Sequence, residues 1–349
     1  MARRNAKRAK LIQTLVFYDG PQLALFETDQ GLKLIATAVG EPSIENRFFG
    51  VEILDKAFRA YKNGRIDLNF LFKYSTGRRY YSLDWSSMSD ENDVLIMRSS
   101  DAEINNPNNY PDRGFFEEDH TEEWINDTAP SAKKRFGIDG RWEASDFSKF
   151  YNKLGDIYSF LSIAEDLDNP DIGQQERQSI EDSIVSPSWR GGGSYVGFYS
   201  DITSHAQNVR PLRVSGMVYH SPGHIEVEGR QTVFDRLNET TQSFQDNAQK
   251  LQLDYTFIHR LLQFYGLNTS DKLVKFNNDE AEAAVLDRSR QLANGMGIPN
   301  IQLILKASGD NTIIFSKIIL SYYRRLRDLV NFQKEGRITL AEPGPSVFE

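Results

Sequence analysis

A run of three glycines beside an arginine is the segment of this sequence best suited to bind a ligand. Its candidate anion-binding residues are Arg190, Gly191, Gly192, Gly193 and Ser194. Glycines expose backbone N–H groups to an anion, and an arginine pairs with phosphate oxygens. The run lacks the lysine that completes a P-loop, and a dinucleotide-binding loop is followed by a helix. Because we expect a strand from Ser194 to Ile202, the alternative interpretation is a flexible loop that leads into this strand.

Two histidines bracket a predicted turn in the second half of the chain. His220 and His224 flank Ser221-Pro222-Gly223, and the proline excludes a helix that would place both on one face. Across a hairpin they could approach one another, with Glu226 or Glu228 as a third ligand, which makes them the candidates for binding a metal. The alternative is a pair of exposed turn histidines. We predict no bound metal and no cofactor.

A serine, a histidine and an aspartate also occur close together in the sequence. His205 follows Asp201 and Ser204, but a catalytic triad is defined by its geometry rather than by its composition. The sequence lacks the G-x-S-x-G turn that presents the nucleophile in many serine hydrolases. A hydrolase is therefore disfavoured.

Basic residues concentrate at the N-terminus and in the last predicted helix. Those that could contact nucleic acid are Arg3, Arg4, Lys7, Arg8, Lys10, Arg324, Arg325 and Arg327. Such residues neutralise phosphates, and Tyr322 and Tyr323 beside them could stack on bases. The alternative is that the arginines favour a helix C-terminus electrostatically and that Tyr322 belongs to the core. Residues 1–10, with no apolar partner before Leu11, are expected to form a disordered tail.

Residues 90–127 are strongly acidic, with twelve Asp and Glu residues against two arginines. They lack the residue order of a calcium-binding loop, and the turn formers of Asn105–Pro111 do not hold carboxylates in a catalytic geometry. Three aromatic residues, Phe115, Phe116 and Trp124, are candidate anchors that dock onto another chain or onto the body of the protein. We predict a solvated segment that serves as a contact surface or a spacer.

The first quarter of the chain has the pattern of a small β-rich module. Residues 11–38 predict a three-stranded meander, because apolar runs alternate with the turn sequences DGP and DQG. Further strands are predicted at Phe48–Ile53, Asp67–Phe72 and Arg79–Trp85. Helical spacing of the apolar residues predicts a helix over Ile53–Lys62.

The second half of the sequence mixes strands with long helices. Apolar spacing predicts helices over residues 145–165, 233–265, 280–296 and 311–333. Ser145 and Asn311 are suited to cap the first and the last of them. Besides Ser194–Ile202, strands are predicted at Leu212–Tyr219 and Ile225–Glu228.

A length of 349 residues fits about two domains. We predict an α+β fold in which a β-rich N-terminal module, a small antiparallel sheet or partial barrel, precedes a mixed module that ends in a helical bundle. The predicted segments are a basic tail (1–10), the β-rich module (11–86), an acidic linker or insertion (87–143), the mixed module (144–336) and a loose tail (337–349).

Composition excludes several classes of protein. The chain has no cysteine, so disulfides, thiolate metal sites and cysteine nucleophiles are excluded. No run approaches the roughly 20 apolar residues that cross a bilayer, and the residues after the basic N-terminus are too polar for a signal peptide. We therefore expect a cytoplasmic protein.

Three stretches resemble patterns in uncharacterised bacterial proteins, the first of them in a β-rich family. The pattern TLVFYDGPQLALFETDQGLKLIA at residues 14–36 is similar to the opening meander of that family, and GGGSYVGFYSDI (191–202) and VYHSPGHIEVEG (218–229) resemble a second recurrent pattern. The resemblance implies a place in phage-defence-like gene neighbourhoods. The sequence thus favours a non-enzymatic binding or assembly subunit of a bacterial multi-protein system, acting with another chain or as a homo-oligomer. The alternatives are a nucleic-acid-binding accessory protein and an enzyme that binds a phosphate or nucleotide at Arg190–Ser194.

Overall fold

The computed structural model describes residues 7–17, 20–39, 47–74, 79–89, 93–100, 110–120, 131–187, 189, 192–209, 212–269 and 275–340. The chain divides into two compact units, Met1–Asp127 and Thr128–Glu349. The first contains a closed β-barrel, and the second combines a four-stranded sheet with helices. This architecture confirms the predicted α+β class.

Six antiparallel strands form the barrel of the first unit. They are β1 (Lys7–Phe17), β2 (Pro21–Thr28), β3 (Lys33–Val39), β4 (Arg47–Ile53), β5 (Tyr80–Ser89) and β6 (Val94–Ser99). Each strand pairs with the next along the chain, and β6 pairs with β1, so the barrel closes on itself. Gly31, with a φ of 73°, occupies the turn between β2 and β3, a backbone conformation that favours glycine.

Side-chain alternation along the strands gives the barrel an apolar interior. All six strands contribute buried residues to it: Ala9, Ala24, Phe26, Leu34, Ala36, Phe48, Tyr81, Leu83, Leu95 and Met97. Small residues make room for large ones. A Cβ at Gly50, for example, would lie 2.5 Å from Cδ1 of Leu83. The interior is therefore a packed core.

Two short helices cover part of the outer surface of the barrel. They are α1 (Asp55–Lys62) and α2 (Leu68–Tyr74), and their buried residues join Phe49 of β4 in a second apolar cluster. The carboxylate of Asp67 accepts a hydrogen bond from the backbone N–H of Phe70 at 2.7 Å, which caps the start of α2.

The second unit is built on a four-stranded antiparallel sheet in the order β10-β7-β9-β8. Its strands are β7 (Ser131–Ile138), β8 (Arg213–Val218), β9 (Gly223–Arg230) and β10 (Ile338–Thr339). The strands predicted at Leu212–Tyr219 and Ile225–Glu228 are confirmed. Phe136 of β7 and Ile225 of β9 are partners in the register and bury one face of the sheet.

In the described part of the second unit, eight helices pack with this sheet in one continuous core. They are α3 (Ala144–Asp168), α4 (Gln174–Val185), α5 (Gly192–Val209), α6 (Gln231–Asp246), α7 (Ala248–Phe264), α8 (Asp279–Gly295), α9 (Ile301–Ala307) and α10 (Thr312–Lys334). Asn311 caps α10 as predicted, accepting from two backbone N–H groups. The cap of α3 is Glu143 and not Ser145, because Glu143 and Asp146 form a reciprocal capping box.

Two strand predictions are wrong. Asp67–Phe72 is mostly helix α2, because Leu68, Leu71 and Phe72 are buried at helical spacing. Ser194–Ile202 lies within helix α5, which places Phe198 and Ile202 one turn apart in the core.

The predicted tail and linker also contain ordered strands. Lys7–Lys10 begin β1 rather than a disordered tail, because Ala9 enters the barrel core and β6 pairs with this stretch. Strands β6 and β7 both fall in the segment predicted as an acidic linker, residues 87–143. Residues 1–6 of the predicted tail lie outside the described residues.

Candidate functional site

The glycine-rich segment leads into a helix. Gly192 is the first residue of α5, so one condition for a nucleotide-binding loop is met, but the element before the segment is helix α4 and not a strand. Arg190 and Gly191 lie outside the described residues, as do the side chains of Gly192, Gly193 and Ser194. Ligand binding by this segment remains a prediction.

Helix α10 packs against both ends of this stretch. The buried ammonium of Lys317 donates to the backbone carbonyl of Trp189 at 2.5 Å. The guanidinium of Arg324 lies 5.1 Å from the ring centre of Tyr195, in the first turn of α5. Two groups of residues that were predicted separately, the glycine-rich segment and the arginines of the last helix, are therefore neighbours.

The arginines of α10 serve mainly as internal contacts. Arg325 donates from Nε to Asp156 at 2.5 Å, and its guanidinium lies 3.4 Å from the ring centre of Tyr199. Burial of Asp156 raises the pKa of its carboxyl group even though Arg325 is adjacent. Arg327 is more exposed and lies 3.6 Å from Asp328.

Base stacking by the last helix is excluded by burial. Tyr322 and Tyr323 both lie in the core, where burial raises the pKa of each hydroxyl. A ring without exposed faces has no surface to offer a base. The prediction that these tyrosines stack on nucleic acid is wrong, and its alternative, a core position, is confirmed for Tyr322.

Two basic residues of β1, Arg8 and Lys10, lie on the outside of the barrel, whereas Lys7 shares the face of Ala9 and its ammonium lies 5.4 Å from the ring centre of the buried Tyr81. Arg8 and Lys10 are exposed and flank the buried Ala9. Arg98 is exposed on β6, which neighbours β1, and Arg47 is exposed on β4, which is adjacent to neither of these strands. This basic surface is partly balanced, because Glu27 stands opposite Lys10 and Asp84 opposite Arg47 in the strand register.

The first of the three candidate docking aromatics packs against its own unit. Phe115 joins the apolar cluster between α1, α2 and the barrel, and its backbone carbonyl accepts from the N–H of Leu68 at 2.8 Å. Phe116 is half-buried, and Trp124 lies outside the described residues. The structure thus places Phe115 as an anchor to the body of the barrel unit.

The histidine candidates do not assemble into a metal site or a triad. His220 is exposed in the β8–β9 turn and His224 lies in β9. Among the described residues no group of three or more His, Asp or Glu side chains could hold a metal ion. Ser204 is exposed and donates to the carbonyl of Ser200 within its own helix.

A buried charge cluster surrounds His205 instead. Arg230, at the end of β9, pairs with Asp166 of α3 at 2.6 Å. Nε2 of His205 lies 3.7 Å from Asp166 and equally far from Glu176 of α4. Burial raises the pKa of Glu165, which accepts a hydrogen bond from Thr232. Because Arg230 neutralises Asp166 directly, we interpret the cluster as a structural ion-pair network that stabilises the packing of the helices against the sheet.

Strand β8 forms an exposed edge of the sheet. It pairs only with β9 among the described strands. Most of its residues are exposed, and its apolar side chains keep large exposed fractions: 49% for Val214, 47% for Met217 and 39% for Val218. Tyr219, which follows the strand, is 53% exposed. An edge strand with exposed apolar side chains is a template for pairing with another chain.

The solvent side of the sheet carries a network of charges beside this edge. Glu226 of β9 accepts from Arg135 at 3.0 Å and lies 3.2 Å from Lys133, both on β7. On its other side it accepts from the hydroxyl of Ser215 in β8 at 3.0 Å. Hydrogen bonds from Arg135, Lys133 and Ser215 lower the pKa of Glu226 to about 2.

The sequence did not single out β8 as a functional surface. The strand itself was predicted, but its position at the edge depends on pairing between β7 and β9, which are far apart in the chain. The only local signal was apolar residues on both faces of the strand, which indicates a strand without a solvent-facing side.

No protein-family model, no curated protein and no solved structure matches the chain. Among its described residues, the chain has no helix with the length and apolar character needed to span a membrane.

Proposed function

We propose that this chain is a non-enzymatic assembly subunit whose second unit binds another protein chain by strand addition at β8. The observation that carries the proposal is the exposure of Val214, Met217 and Val218 along an edge strand. The resemblance to bacterial proteins from defence-like gene neighbourhoods supports a place in a multi-protein system.

Strand addition fits this edge for a physical reason. A paired strand satisfies the outward-facing backbone groups of β8, and its side chains cover both faces of the edge at once. Val214 is the register partner of the buried Val227, whereas Met217 pairs with the buried Ile225. The exposed side chains of Val214 and Met217 therefore lie on the apolar face of the sheet. They extend this face past the area that the helices of the same chain cover.

The native complex tests the proposal. The full chain would be purified from its native cells and weighed by native mass spectrometry, as the unchanged protein and as Val214→Lys/Met217→Lys. Lysines along an edge oppose strand addition, and both sites are exposed, so we expect the fold to persist. We expect the complex mass to fall to that of the single chain.

Leu253→Lys is the matched control, since Leu253 is 70% exposed on α7, away from the sheet. This variant should keep the complex. A complex that survives the double lysine change, with thermal unfolding unaltered in all three proteins, would contradict an interface at β8.

A second candidate function is binding of nucleic acid at the barrel. The observation in its favour is the exposure of Arg8, Lys10 and Arg98 on the adjacent strands β1 and β6. Three cations that contact phosphates would give a binding constant that falls steeply with salt. Arg3 and Arg4, which precede β1 in the sequence, would add to this charge.

Salt-dependent binding tests this candidate. Arg8→Glu/Arg98→Glu should weaken binding of an oligonucleotide at least tenfold and flatten its salt dependence. Lys73→Glu on α2 is the control and should bind as the unchanged protein does. Equal affinity of all three proteins would eliminate the barrel surface as a nucleic-acid interface.

A further inference from the structure

We infer that the chain bound at β8 is a second copy of this protein, with the two β8 strands antiparallel in a continuous eight-stranded sheet. The inference rests on the proposed function and names its partner. Three observations carry it: the unequal edges of the sheet, the distribution of charge along β8, and the composition of the rest of the chain.

The two edges of the sheet differ in length. One edge is β8, with six residues, and the other is β10, with two. Growth by pairing β8 of one copy with β10 of the next would produce an open filament, but β10 is too short to hold a neighbour. Pairing of β8 with itself is isologous, so it uses both long edges and closes after two copies.

Charge along β8 favours an antiparallel pair. Arg213 is the only charged residue of the strand and stands at its start, whereas the apolar Val218 and the exposed Tyr219 stand at its end. In a parallel pair the two arginines would be adjacent. In an antiparallel pair each arginine faces the uncharged end of the other strand. Like charges are then separated by nearly the length of the strand.

The three longest stretches outside the described residues have sequences poorly suited to form the added strand. Residues 341–349 read AEPGPSVFE, and residues 101–109 read DAEINNPNN. Residues 121–130, TEEWINDTAP, are similarly rich in strand-disfavouring residues. Proline removes a donor from the ladder, and Asn, Asp and Glu are depleted in strands. A second β8 has the apolar side chains that these stretches lack.

One local feature limits the register of the pair. The register between β8 and β9 shifts between Val214 and Gly216, so Ser215 is an extra residue in the strand. A bulge increases the twist of an edge. We therefore expect the two-fold axis to fall between Ser215 and Val218, where the exposed apolar residues of the two copies meet.

The absence of cysteine from the chain allows a direct test. Single cysteines would be placed at positions 213 to 218, one per variant, and the protein oxidised mildly and run on a non-reducing gel. A disulfide requires Cα atoms within about 7 Å. For an axis between Ser215 and Val218, position 213 lies at least four residues from its copy, or roughly 13 Å at the rise of a strand.

We expect the recombinant chain alone to have a mass of twice 39.9 kDa by light scattering. The dimer should be lost in Val214→Lys/Met217→Lys and kept in Leu253→Lys. Cross-linking should peak at one of positions 215 to 218 and be absent for Arg213→Cys.

Two results would overturn the inference. A mass of one chain at concentrations up to about 200 µM would exclude the second copy. This concentration is about tenfold above a Kd of roughly 20 µM, so a dimer with that affinity or a tighter one would be populated. A dimer whose cross-linking is equal at all six positions, or strongest at Arg213→Cys, would exclude the antiparallel pair. In the first case a native complex that depends on Val214 and Met217 would leave the proposed function standing with a different partner. In the second case it would leave the proposed function standing with a different arrangement of the two copies.

Discussion

Arg230 and Asp166 join the sheet of the second unit to its longest helix. Nη2 of Arg230 lies 2.6 Å from one carboxylate oxygen of Asp166 and 2.8 Å from the other. The two side chains are only 13% and 11% exposed. Because β9 precedes α6 directly, the pair fixes the point where the strand passes into the helical layer.

Removing the acid of this pair should destabilise the second unit. In Asp166→Asn, Arg230 stays largely buried and loses its direct counter-charge. We expect a loss of about 2–4 kcal/mol in unfolding free energy, since breaking a buried ion pair leaves Arg230 with only the more distant carboxylate of Glu165, 3.8 Å away. Denaturant unfolding measures it. Arg236→Gln breaks an exposed pair with Glu239 and should change stability by less than about 1 kcal/mol. Equal effects of the two changes would refute this account.

A glycine next to this pair should not tolerate a side chain. A Cβ at Gly229 would lie 2.7 Å from the hydroxyl oxygen of Tyr158 and 3.0 Å from the ring of Phe234. That hydroxyl accepts from the backbone N–H of Arg230 at 2.8 Å. We expect Gly229→Ala to lower the unfolding free energy by about 1–3 kcal/mol through overpacking.

Gly155→Ala is the matched control for this change. Gly155 lies inside α3, and a Cβ there would meet no atom within 4 Å. We expect it to stabilise the protein by about 0.5–1 kcal/mol, because alanine favours a helix over glycine. Opposite signs for the two Gly→Ala changes in thermal unfolding would support the packing argument, and destabilisation by both would not.

Sequence patterns predicted the α+β class, most helices and the β8–β9 hairpin. They failed where the secondary-structure preference of the residues disagrees with the pattern of their burial. The stretch that begins α5 is rich in Tyr, Val and Phe, which favour strands. Phe198, Ile202 and Ala206 nevertheless recur every four residues and are all buried. That helical spacing was the available signal, and tertiary packing outweighs local preference here.

Two other elements differ from their prediction, and only one of them could have been recognised from the sequence. The cap of α2 by Asp67 was recognisable, since an aspartate before an apolar run often starts a helix. The strand at Lys7–Lys10 had no such signal, because only Ala9 of this stretch enters the core. Its pairing with β6 connects residues that are nearly ninety positions apart, and local patterns contain no information on such contacts.

Phe115, which attaches residues 110–120 to the barrel unit, should contribute to the stability of that unit. Phe115 is half-buried against the cluster that contains Phe58 and Leu71. We expect Phe115→Ser to lower the unfolding free energy by about 1–3 kcal/mol, through lost apolar burial. Phe70→Ser is the control, because Phe70 is 49% exposed on the neighbouring helix α2. If Phe115→Ser instead weakened a complex without changing the melting temperature, Phe115 would be a docking residue for another chain.

The stability of the sheet should depend on pH through Glu226. Its pKa is lowered from an ordinary 4.5 to about 2, first by Arg135 and then by Lys133 and Ser215. A group with a lowered pKa in the folded state contributes stability that is complete above its unfolded pKa. This contribution is lost as the pH falls from about 4.5 towards 2. Between these values the unfolding free energy of the unchanged protein should therefore fall more steeply than that of Glu226→Gln.

A control separates this group from the general effect of acid. Glu280 is exposed in the first turn of α8, so Glu280→Gln should follow the unchanged protein across the whole range. Chemical unfolding at several pH values between 2 and 6 gives the three curves. The difference between unchanged protein and Glu226→Gln should be constant above about pH 5 and shrink below it, because protonation removes the charge that the substitution removes. A difference that stays constant down to pH 2 would mean that Arg135 and Lys133 do not stabilise the ionised form of Glu226.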